Sequence, residues 1–141
     1  MQLYPAVVVH GLADARRAMA RGQPVTLLSA PGAGVYAGCL WWQVLVARVR
    51  REYPDVPVMD VLDCADASGQ ALAALRIGLT RLVLAPDAPG RLRLELIARG
   101  LGAHFLSSRP REFPREHFGR RRAPLQPDRV AGPKQADTTN P

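Results

Sequence analysis

Asp63-Cys64-Ala65-Asp66-Ala67-Ser68-Gly69 concentrates the reactive side chains of this 141-residue chain. The thiolate is the nucleophilic form of cysteine, and a helix N-terminus or a nearby cation favours it. Cys64 is therefore a candidate nucleophile, with His10 as its base and Asp63 as the group that orients the imidazole; the competing reading is a small cysteine packed in the core. Asp66 and Ser68 have a structural use as well, since both residue types cap helices. Asp87, just before Ala88-Pro89, is read in the same way. Asp60 sits inside an apolar run and is read as facing a sheet edge or a satisfied polar contact rather than as a reacting group.

A second stretch, Ser29-Ala30-Pro31-Gly32-Ala33-Gly34, joins an apolar run to a helical one. Glycines there let an anion approach free backbone N–H groups at a helix start. Ser29, Gly32, Gly34, Asp63 and Asp66 are the candidate ligand-binding residues. Gly32, Gly34 and Gly38 give GxGxxxG, which is not the dinucleotide fingerprint, and no GxxxxGK[ST] lysine is present. The competing reading gives these glycines to a tight turn and close helix packing. No cofactor is assigned, and Cys39, Cys64 and the histidines show no zinc-ligand spacing.

The elements that position these residues follow from apolar pattern. Ala6–Val9, Val25–Leu28, Val56–Leu62, Leu82–Ala85 and Ala103–Leu106 read as strands. Leu12–Arg21, a long helix over about Val35–Glu52, Ala71–Ile77 and Leu92–Leu101 read as helices, with Gly22, Gly78 and Gly102 as stops. Strand and helix alternate, and most strands are apolar throughout. That is the pattern of a parallel sheet buried on both faces. The expected fold is α/β, a three-layer α/β/α sandwich of about five strands, Rossmann-like or flavodoxin-like in general form. Part of a (βα) barrel that pairs with itself is the alternative. Open parallel sheets bind ligands beyond the carboxyl ends of their strands, which is where His10, Ser29–Gly34, Asp63–Gly69, Asp87 and Ser107-Ser108 fall.

The formal charge of +7 is unevenly placed. Residues 1–108 carry eleven Arg against eight acids, whereas residues 109–141 carry seven Arg and Lys134 against four. The latter segment is rich in proline and poor in aliphatics, so burial would not offset the entropy of ordering it. The expected organisation is a single domain over 1–108 and an extended or disordered basic tail over 109–141, with Phe113 and Phe118 as contacts to the body. Arg-rich charge suits phosphate, but Glu112, Glu116 and Asp128 dilute it and aromatics for stacking on single strands are few.

Adjacent helical residues point about 100° apart, so Trp41 and Trp42 cannot both face one core: either one is exposed or the helix is buried on two sides. The sequence supports two functions. One is an anionic or nucleotide-like small molecule held at the strand ends. The other is a non-catalytic interaction or scaffold protein that self-associates through the Trp41-Trp42 helix, its tail contacting an acidic partner or nucleic acid. No apolar run approaches the ~20 residues of a membrane span. The N-terminus lacks a secretory pattern, and with two cysteines the expected location is cytoplasmic.

Overall fold

The computed structural model describes residues 2–113. Five strands, β1 (Ala6–Val9), β2 (Val25–Ser29), β3 (Val58–Asp63), β4 (Arg81–Val83) and β5 (His104–Leu106), form one sheet that is parallel throughout. The helices between them are α1 (Leu12–Met19), α2 (Ala33–Tyr36), α3 (Cys39–Glu52), α4 (Ser68–Arg76) and α5 (Arg91–Gly100). The long helix expected over Val35–Glu52 is divided between α2 and α3. Gly38, at φ +87°, turns the chain out of helical geometry between them.

The α/β class and the five parallel strands stand as the apolar pattern indicated. Strand order, which pattern does not carry, runs straight from β1 to β5. Each connection steps to the next neighbour on the same side, and right-handed crossovers then put successive helices on the same face. The packing agrees. Val9, Leu27, Leu62, Leu82 and Leu84 meet Met19, Trp42, Val46, Leu75 and Leu94 of α1, α3, α4 and α5 in one cluster. Alternate residues Leu28, Val61 and Val83, with Val8 and Leu106 beside them, form a second, smaller cluster on the other face. Among the described residues, that second face has no helical layer. The strands are therefore apolar on both faces although the helices cover one.

On α3, Trp42, Leu45, Val46 and Val49 recur at helical spacing and are buried. The Trp42 indole donates from Nε1 to Asp60 Oδ2 at 3.2 Å, and Arg50 Nη2 lies 2.9 Å from Asp60 Oδ1. Asp60 is thus the paired contact its position implied.

After β5 the chain turns back across the strand ends to the opposite edge of the sheet. Glu112 bridges Ala6 in parallel, and the Phe113 N–H donates to the Ala6 carbonyl at 2.9 Å. Residues 109–113, assigned from composition to the tail, are bonded to the body. The expectation of an extended or disordered tail otherwise falls on residues 114–141, outside the described residues.

Candidate functional site

A ligand crevice in an open parallel sheet forms where the strand order reverses, and this order contains no reversal. The ends of β2 and β3 are instead spanned by the protein itself. Arg109 Nη1 donates to the Ser29 carbonyl at 3.0 Å and to Asp63 Oδ2 at 2.7 Å. Asp63 is 4% exposed, and its Oδ1 accepts the Ala65 N–H at 2.8 Å. That bond helps hold Ala65 at φ +51°, a conformation costly for a residue with a Cβ. Ser29 Oγ accepts the Asp63 N–H at 2.9 Å and donates to the Ala30 carbonyl.

The loop glycines serve geometry. Gly32 caps α2 at φ +69°. A Cβ on Gly34 would lie 2.9 Å from both the Asp63 carbonyl oxygen and Cys64 Sγ, so α2 reaches β3 because this residue has no side chain. Of the candidate ligand-binding residues, Ser29, Gly34 and Asp63 come together, and Asp66 is exposed on the loop. Arg109, which organises the cluster, carries no local signal in sequence because it lies in a proline-rich stretch.

Cys64 is packed in the core, the alternative to its reading as a nucleophile. Its thiol is buried, and burial, with the Asp63 carboxylate and then Cys39 adding to it, pushes its pKa up to about 12. Activation requires the opposite shift. His10 is exposed beyond β1, its backbone N–H donating to Asp14 Oδ2 at 3.0 Å. The β1 and β3 ends are two strand spacings apart, about 10 Å. The capping assignments are corrected. Ala67 caps α4 and Gly90 caps α5, neither with a side-chain bond. Ser68 Oγ donates instead to the Pro89 carbonyl.

A concave surface lies elsewhere, between the start of α1 and the outer side of α3. Leu12, Leu40, Trp41, Val44, Arg48 and Arg51 line a groove of about 610 Å³. Leu40 is 62% and Val44 60% exposed, and Trp41 is half-buried while Trp42 is fully buried. The tryptophan pair therefore divides as the 100° rule requires. Glu52 ties the two helices at one end of the groove. Arg16 grips it through Nε at 2.8 Å and Nη2 at 2.7 Å, and Arg48 Nε lies 2.8 Å away. These partners, Arg16 first, pull the Glu52 carboxyl down to about 2.

Among the described residues, no group of three or more His, Cys, Asp or Glu side chains is placed to hold a metal, and no helix is long and apolar enough to cross a membrane. Compared with protein-family models and with curated proteins, the chain matches none.

Proposed function

We propose that this protein is a non-catalytic interaction module whose docking surface is the groove between α1 and α3. The observation that carries this reading is the exposure of Leu40 and Val44 in a concavity that Trp41 also lines. An apolar groove lined by an aromatic and by arginine has the composition of an interface centre. The strand ends, where a small-molecule site would be sought, are occupied by the Arg109 side chain.

A photo-crosslinking residue at position 44, compared with one at position 93 on α5, tests the reading in living cells. The expected result is a discrete adduct from position 44 that is lost with Leu40→Asp. Adducts from position 44 that match those from position 93 would refute it.

One observation favours the small-anion reading as the second: Arg109 Nη2 is buried without a hydrogen-bond partner, 3.7 Å from Glu112. A thermal shift with a nucleotide or small carboxylate that disappears in Arg109→Met would support it, and no shift would dismiss it. We place the protein in the cytoplasm, a reading supported by the two free thiols, which suit a reducing compartment.

A further inference from the structure

We infer that the occupant of the groove is an amphipathic helix from a partner protein, with carboxylates at one end of its apolar stripe. This inference rests on the docking reading above. Leu40, Val44 and Arg48 follow at four-residue intervals on α3, and Arg51 comes three later. Eleven residues of helix rise about 16 Å, or three turns. A row of that length is matched by a second helix with anchors at i, i+4 and i+7, laid along it.

The row changes chemistry along its length. Its first half, with Leu12 and Trp41 beside it, is apolar, and its second half ends in two arginines. Arg48 is already paired with Glu52, whereas Arg51 has no carboxylate partner among the described residues. No acid lines the groove. The unmatched charge at one end therefore asks for a carboxylate on the occupant, which fixes the direction in which the helix lies.

Two nearer occupants fit less well. A second copy pairing through the same face would bring arginines to a groove whose neighbouring carboxylate, Glu52, is already held by Arg16 and Arg48, and like charges across an interface are repulsive. Residues 114–141 carry six basic against three acidic residues and five prolines, and proline is excluded from helix interiors.

The test uses the full chain and two labelled helical peptides of about fifteen residues with leucines at i, i+4 and i+7. One peptide carries two glutamates past the last leucine, and its twin carries lysines there. Fluorescence anisotropy at low salt should show the glutamate peptide binding at least about tenfold tighter. Leu40→Asp should weaken binding, and Arg51→Glu should abolish or invert the preference. Both substitutions are at solvent-exposed positions. Equal affinity for the two peptides, or binding of neither, overturns the inference. Binding to anionic lipid vesicles in place of the glutamate peptide also overturns it. The docking reading is judged separately by the position-44 adduct, and an adduct of twice the chain mass would keep that reading while assigning the groove to a second copy.

Discussion

Replacing Arg109 with methionine keeps most of the apolar stem and removes the guanidinium that reaches Asp63 at 2.7 Å and the Ser29 carbonyl at 3.0 Å. Asp63 keeps the Ala65 N–H but becomes a buried carboxylate without a counter-charge. Breaking a buried pair from one side costs about 3–5 kcal/mol. The remaining N–H bond and the partial exposure of Arg109 put the expected loss near the lower end, about 3 kcal/mol. For a body of this size each kcal/mol moves the midpoint by about 4 °C, so a drop of roughly 12 °C is expected. Asp63→Asn should cost less, about 1–2 kcal/mol, because Arg109 keeps the Ser29 carbonyl and partial hydration. In the double variant the stranded charge is gone, so the two losses should fall short of additive by about 2 kcal/mol. Urea unfolding of the four proteins measures this coupling. Additive losses, or an Arg109→Met variant within about 1 kcal/mol of wild type, would refute the view that Arg109 neutralises a buried carboxylate.

Gly34→Ala should cost about 2–3 kcal/mol, because its Cβ meets a backbone oxygen and a buried sulfur that cannot yield. Gly32→Ala, which meets nothing and bears only the strain of φ +69°, should cost about 1 kcal/mol; equal losses in denaturant unfolding would contradict the packing role of Gly34. The Glu52 carboxyl, held down to about 2 when folded, stabilises the protein above its unfolded value of about 4.3 and loses that contribution as pH falls towards 2. The gap in unfolding midpoint between wild type and Glu52→Gln should accordingly be flat at neutral pH and close in that acid window. For Cys64, raised to about 12, ionisation is favoured in the unfolded chain, so its share of stability is lost as pH climbs past about 8.5. Iodoacetamide at pH 8 should modify Cys39 in the native protein and both thiols after unfolding; rapid native labelling of Cys64 would argue against its burial.

Much of the fold was legible because parallel strands need long apolar runs and their helices need stops. The positions of all five strands follow from runs such as Val25–Leu28 and Val56–Leu62, to within a residue or two at their ends. The division at Gly38 was harder to read, since Cys39, Trp42, Val46 and Val49 continue the spacing of Val35 and hide the break. Strand order was not legible at all, because it is decided by which neighbour each strand joins. The strand-end cluster was half legible. Ser29, Gly34 and Asp63 fall at strand ends by pattern, whereas Arg109 arrives there from a distant, proline-rich segment. The tryptophan surface was visible as a geometric conflict between adjacent residues, but its concavity depends on how α1 packs beside α3.

The straight strand order also bears on how the chain folds. Each strand pairs with the next one along the chain, across crossovers that separate partners such as Ala6 and Thr26 or Val25 and Val58. The bridge from Ala6 to Glu112 is the exception, joining segments at nearly opposite ends of the described chain. Its closure entropy is met most easily after the sheet has formed. Contacts made after the transition state govern the unfolding rate. Loosening the return segment that carries Arg109 is therefore expected to speed unfolding while leaving the rate of folding nearly unchanged, as stopped-flow unfolding and refolding of Arg109→Met would show.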